Sequence, residues 1–349
     1  MVLIENITCI RAKNITMENL IDIKGLEDEF SRLDKHIKEL YHRFMAIAMD
    51  YQYYYDNSWT QKEIYELRDE VTYRLKGVRL QIRILLKHQS TINKSLNQTY
   101  KSEPNKILGS YYPDNPLFDQ AEEEISSLFD SVLYHLVSIF DYLGNLTHFI
   151  FADKNKQQSH SWNSLTKSVR DKKNPYSQKS FAKLIAQIDN DFVNKLYKHR
   201  SILIHERGDV FDSRGYTTQK DDIFFCKFVA TNKLKKNFSE LRKMDKTKFI
   251  TIEFVMFWLF DKSANYITEI LFAMKKEMEN TPKVSFPKSI IAMGNGEIKS
   301  PSYIYWEGMD PVEYEKIEIE KNTTPNKYVH THMRTKHHAR RVTLNVSRQ

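Results

Sequence analysis

The chain reads as all-α, and three observations carry that reading. Apolar residues recur at three- and four-residue steps over long stretches, the spacing that builds one face of a helix. Nine Gly and nine Pro in 349 residues are few, which favours long helices over strands and tight turns. Hydrophobic residues at 41% and charged residues at 28% describe a chain able to bury a substantial core. The sequence predicts a helical bundle with an N-terminal long helical hairpin and a small irregular or β insertion. It divides into a hairpin region at 1–110, a helical domain at 116–280 and a loosely structured basic tail at 281–349.

Residues 1–24 are mixed and allow a short strand. From Leu26, the series Phe30, Leu33, Ile37, Leu40, Phe44 and Ile47 marks the first helix, which ends in the aromatic run Tyr51 to Tyr55. No basic residue interleaves that run, so packing against a neighbour explains it better than base stacking. Ser58 and Gln61 form a capping box ahead of the second helix. That helix runs through Ile64, Leu67, Val71, Leu75, Val78, Ile82 and Leu85, with Arg74, Lys76, Arg79 and Arg83 outward or along one flank. Residues 101–116 hold Pro104, Gly109, Pro113 and Pro116 and read as a linker.

The strongest helix is predicted over about Leu117 to Phe151. Its apolar arc is broad enough to require burial on more than one side, which makes it the central staff of the bundle. Residues 152–180 read as a long basic loop carrying a local charge of +5, either an RNA-contacting flap or a linker pinned by Trp162. A helix over 191–207 follows, stopped by Gly208. Val210 to Phe238 is irregular or hairpin-like, with a turn at Gly215 and strand-forming residues at Ile223 to Val229. Lys246 to Glu279 returns to helix, and Tyr314, Ile317 and Ile319 suit an edge strand.

The net charge is +8. From Lys321 onward there are seven Lys or Arg and no acidic residue, so the rest of the chain sums to only +1. A basic tail on a near-neutral body fits contact with a polyanion, and equally a solvated terminus. Two distant cysteines, Cys9 and Cys226, argue against a disulfide framework and for a reducing compartment. The N-terminus lacks a signal-peptide pattern, and the most apolar window, Ile250 to Phe260, is broken at Glu253 and closed by Asp261 and Lys262. The expected location is cytoplasmic.

The candidate site lies on the predicted 191–207 helix, in Arg200-Ser201-Ile202-Leu203-Ile204-His205. A guanidinium stays charged and grips phosphate oxygens as a planar fork. An imidazole titrates near neutrality and can take or give a proton. Five residues apart, the two side chains leave the helix about 140° apart and flank a cleft rather than touch. Tyr197, Ser201 and Glu206 lie close enough in sequence to support them. The alternative is that the pair are surface charges facing the helix dipole. No phosphate-binding loop, nucleophile elbow or dinucleotide fingerprint is present. The histidines His330, His332, His337 and His338 have no accompanying Cys or carboxylate, and a solvated tail accounts for them better than a metal site.

With its place late in a helical run, Arg200-x(4)-His205 resembles the R-x(4–6)-H motif of the HEPN superfamily, over roughly Pro116 to Asn280. The chain departs from many members in carrying Ser201, where Asn follows the arginine. It also carries Arg207, where one toxin subgroup has a tyrosine that is nucleotidylated. The resemblance implies a HEPN-like bundle and a metal-independent endoribonuclease that needs no cofactor. It also implies a toxin, antiviral-defence or RNA-processing role. RNA would be the substrate, a homodimer would build a composite site, and an antitoxin or activator protein would be a further partner. A catalytically silent module binding RNA or a partner protein, or a purely structural dimerisation protein, are the competing readings.

Overall fold

The computed structural model describes residues 23–55, 61–108, 116–152, 161–206, 211–217, 223–244, 250–281, 291–292, 298–299, 302–310 and 312–314. These are mostly helical. In order come α1 (Ile23–Tyr55), α2 (Gln61–Ser102), α3 (Pro104–Leu108), α4 (Pro116–Phe151), α5 (Trp162–Arg170), α6 (Ala182–Ile188) and α7 (Asn194–Glu206). The strands β1 (Phe211–Thr217) and β2 (Phe224–Ala230) follow, then α8 (Asn232–Asn237), α9 (Ser239–Met244) and α10 (Ile252–Glu279). Two short strands, β3 (Ile291–Ala292) and β4 (Ile298–Lys299), precede α11 (Tyr303–Trp306). Met1–Asp310 is one unit and Pro311–Gln349 a second. In the second, residues 312–314 are helical, where the sequence suits a strand at Tyr314. Ile317, Ile319, Ser58, Gly208 and the basic tail lie outside the described residues. No helix among the described residues is long and apolar enough to cross a membrane.

The hairpin and the later helices share one core. Ile64, Val71, Leu75, Val78 and Ile82 of α2 are fully buried, as are Phe129, Leu133, Leu136, Phe140 and Leu143 of α4. They form a single apolar cluster with Leu33, Phe44 and Ile47 of α1 and with Val255, Leu259, Ile267 and Leu271 of α10. The aromatic run at the end of α1 packs inward. Tyr51 and Tyr54 are buried, and Tyr51 lies 5.5 Å from Phe149, ring centre to ring centre. Of Arg74, Arg79 and Arg83 only Arg83 is exposed; Arg74 is half-buried, and Arg79 lies along the α1 flank, where it pairs with Asp34 at 2.6 Å and lies over the Phe30 ring.

The insertion is an antiparallel hairpin pairing Phe211 with Ala230 and Thr217 with Phe224. Gly215 is not its turn: it sits within β1 opposite Cys226, and the connection falls later in the chain. What fixes the hairpin is α2. Gln89, Asn93 and Asn97 recur every four residues, and so share one helix face. Gln89 Nε2 donates to the Cys226 carbonyl at 2.5 Å, and Asn93 and Asn97 accept from the Cys226 and Phe224 amides at 2.8 and 3.3 Å. A row of side-chain amides thus satisfies one end of the outer edge of β2, whose other end bonds the Ile250 carbonyl through the Ala230 amide. The segment before Phe238 is also less irregular than its sequence suggests. Thr231 caps α8 by accepting from the Leu234 amide at 3.3 Å.

A buried carboxylate docks α11 on α1. Asp50 is 3% exposed. One of its oxygens accepts from Ser302 Oγ, and the other from Trp306 Nε1 at 2.7 Å. Burial lifts this carboxyl to about 6, against the pull of its two donors. The folded chain therefore holds the proton more tightly than the unfolded chain. The stability this confers is complete below the ordinary aspartate range and is lost as pH rises through about 6. Relative to Asp50→Asn, wild type should gain about 2 kcal/mol between pH 7 and pH 4. Urea denaturation of both proteins at the two pH values checks this, and a pH-independent difference would refute it.

Candidate functional site

The motif helix begins earlier than its sequence suggests. A helical run starts at Ala182, widens into a π-helical turn over Asp189–Val193 and continues as α7. A π turn accommodates one extra residue. Asp189, the first residue of this one, is 4% exposed. Its Oδ1 accepts from Trp162 Nε1 at 2.8 Å, and its Oδ2 accepts from Arg170 at 2.7 Å. Both donors belong to α5, so the widened turn is bonded to the helix that precedes it.

The described part of the preceding segment, residues 161–180, is not a long loop. Trp162, Leu165, Thr166 and Val169 are buried on one face of α5, and Ser161 caps it by accepting from the Ser164 amide at 3.3 Å. Four buried positions at helical spacing and an N-cap serine were present in the sequence, obscured by Asn163, Ser164, Lys167 and Ser168 between them. A backbone requirement at Gly144 of α4 sets the position of α5. A Cβ there would fall 2.8 Å from the Ser161 carbonyl carbon and 2.9 Å from the Trp162 nitrogen, so the two helices meet backbone to backbone. Asp141, one turn earlier on α4, accepts the Trp162 amide at 3.0 Å and caps α5 a second time.

The same Asp141 oxygen accepts from the Tyr197 hydroxyl at 2.6 Å. Tyr197, predicted as a support for Arg200, is thus tied to α4. Its hydroxyl is driven well above the usual tyrosine range by burial and by the bond to Asp141, with Arg200 pulling the other way. It stays protonated and acts as a fixed donor, not as an acid.

Arg200, three residues on, is half-buried. Its guanidinium carbon lies 5.0 Å from the centre of the Tyr134 ring, and Tyr134 is 43% exposed. Among the described residues no carboxylate pairs with Arg200. Ser201 faces solvent. His205 and Glu206 occupy the last turn of α7, and their side chains lie outside the described residues. Helix geometry places His205 about 7.5 Å along the axis from Arg200. The structure therefore gathers Tyr197 and Arg200 on one side of α7 and puts His205 on the same helix.

The underside of α7 is core. Phe192, Val193 and Leu196 are buried, and Phe192 contacts Phe140, Trp258 and Tyr266. His199 completes that stripe. It is 2% exposed, lies edge-on to Phe129 and Phe238, and neither ring nitrogen has a hydrogen-bond partner among the described residues. Its imidazole is pushed down to about 4, chiefly by burial and then by Lys233. Although His199 adjoins Arg200 in sequence, it cannot assist it, because it is a neutral core ring.

Reasoning from sequence missed Tyr134, Asp141 and Asp189 as parts of this site. The available signal was a tyrosine and two aspartates beside otherwise apolar helical stripes. No group of three or more His, Cys, Asp or Glu placed to hold a metal ion occurs among the described residues. Comparison with family models, curated proteins and solved structures found no match.

The His199 environment has a pH consequence. A folded value near 4, below the ordinary 6.5, means the stability of the neutral ring is complete above 6.5 and is lost as pH falls through 4. His199→Phe should be close to neutral at pH 7, since no hydrogen bond is lost. By pH 4 the variant should exceed wild type by up to about 3 kcal/mol. Chemical denaturation at both pH values decides this, and equal acid sensitivity of the two proteins would contradict it.

Proposed function

We propose that the chain is a metal-independent endoribonuclease of the HEPN type, with Arg200 and His205 as its catalytic pair. One observation carries the reading. Arg200 is held at the surface over an exposed tyrosine and has no carboxylate partner among the described residues. A guanidinium neutralised by a neighbour would have nothing to offer a phosphate, whereas this one does. The helix that presents it is anchored through Tyr197 and Asp189, as a positioned clamp requires.

RNA carries its own nucleophile. His205 removes the proton of the 2′-hydroxyl, the 2′-oxygen bonds to phosphorus, and the bond from phosphorus to the 5′-oxygen breaks. A second imidazole protonates the departing 5′-oxygen. Arg200 binds the phosphate oxygens and offsets the charge that builds on them in the pentacoordinate state. Ser201 and Glu206 flank the pair. A homodimer with its two α7 helices at the two-fold axis supplies both imidazoles. A toxin, antiviral-defence or RNA-processing role follows from the same reading, with an antitoxin or activator as partner. The competing reading is a silent RNA-binding module, favoured by the exposed arginine and tyrosine surface, which binds without requiring chemistry.

Labelled single-stranded RNA incubated in EDTA separates the two. Wild type should cut it and leave 2′,3′-cyclic phosphate and 5′-hydroxyl ends. His205→Ala and Arg200→Ala should each lose a factor of about 10²–10⁴ in rate. Equal cutting by the variants would remove these residues from the chemistry. Intact RNA with all three proteins would leave the binding module as the better reading.

A further inference from the structure

The Arg200 contact belongs to a longer arrangement that crosses three helices. Tyr134 of α4 carries two cations, not one. The Arg200 guanidinium of α7 lies 5.0 Å from its ring centre, and that of Arg74 of α2 lies 5.3 Å from the same centre. Arg74 also lies 5.8 Å from the centre of the Tyr73 ring. Read across the surface, the order is Tyr73, Arg74, Tyr134, Arg200, an alternation of aromatic plane and guanidinium. Tyr73 is 64% and Tyr134 43% exposed, both among the large apolar side chains that the described residues leave in solvent.

The middle of this row is held in place. Arg74 contacts His135 Nδ1 at 3.4 Å and the Tyr142 hydroxyl at 3.5 Å, and Tyr142 donates to Glu70 at 3.1 Å. The His135 ring rests directly on α2 at Gly77, where a Cβ would fall 2.8 Å from its Nε2. A larger residue at 77 would push the ring off the helix and free Arg74. The acidic Glu70, one turn before Arg74 on α2, accepts from Tyr142 and also acts on the Arg74 charge, so Arg74 is partly offset where Arg200 is not.

We propose that Tyr73, Arg74 and Tyr134 extend the Arg200 site into a track that holds a single RNA strand, stacking bases on the two tyrosines and phosphates on the two arginines. This rests on the ribonuclease reading only in placing Arg200 at the RNA backbone, and the track binds whether or not cleavage follows. Single strands suit it because unpaired bases expose their faces to aromatic rings, which a duplex does not. Guanidinium planes between the rings serve phosphate and base alike. The lone basic tail would bind any polyanion, so ring dependence is what distinguishes the track.

The test is fluorescence anisotropy of a labelled mixed-sequence RNA oligonucleotide in EDTA, using full-length His205→Ala so that the probe stays intact. In that background Tyr134→Ala and Arg74→Ala should each weaken binding about tenfold, and Tyr134→Phe should retain it. Each arginine removed should flatten the slope of log affinity against log salt by about 0.7. Tyr73→Ala, at a position too exposed to perturb folding, should weaken binding severalfold and serves if Arg74→Ala melts early. Equal affinity of all variants would overturn the track even if wild type cuts RNA. Absence of RNA binding would overturn it as well. Ring-dependent binding by a wild type that cuts nothing would keep the track and remove the ribonuclease.

Discussion

Burial of α4 is the constraint on which the rest depends. Its apolar residues pack against α2, α5, α7 and α10, and its exposed side chains are confined to one stripe that includes Glu123, Ser127, Asp130 and Tyr134. An apolar surface of that breadth is removed from water only if other elements surround it. The two arms of the hairpin, the motif helix and α10 are those elements. Tyr134 lies on that stripe, with His135, Asp141 and Tyr142 half-buried beside it, and each contacts a residue of the candidate site or of the proposed track.

Two carboxylates translate this packing into the placement of the motif. Asp141 binds α5 and Tyr197 at once, and Asp189, at the start of the π turn, binds two side chains of α5. Neither would be inferred from a bundle built of apolar stripes alone. Each is a polar group satisfied by specific donors, so each fixes an angle as well as a distance. The result is a motif helix whose inner face is dry enough to hold His199 neutral, while Arg200, the next residue, reaches the surface. The α2 amide row plays a comparable part at the hairpin, where backbone groups on a strand edge would otherwise stand unpaired.

The course of α1, α2, α4 and α10 was legible in the sequence because their apolar residues repeat over many turns, and repetition outweighs any single misplaced residue. The Tyr51 to Tyr55 run was likewise legible as packing, since it lacks interleaved cations. Segments of one or two turns were not. The basic composition of 152–180 concealed α5, and Gly215, a turn former by type, lies within a strand because its partner Cys226 is set by α2.

For the candidate site, the sequence by itself determined the chemistry on offer: a permanent cation and a titratable ring five residues apart on one helix. It also determined that Tyr197 lies within a turn of that cation. Only the tertiary structure decided which neighbouring groups share the site. Arg74 precedes Arg200 by more than a hundred residues, yet both lie over Tyr134. His199 is adjacent to Arg200 and is buried away from it. The physical reason is that helix periodicity fixes the direction of a side chain relative to its own helix axis. What lies in that direction depends on which other helices close the core.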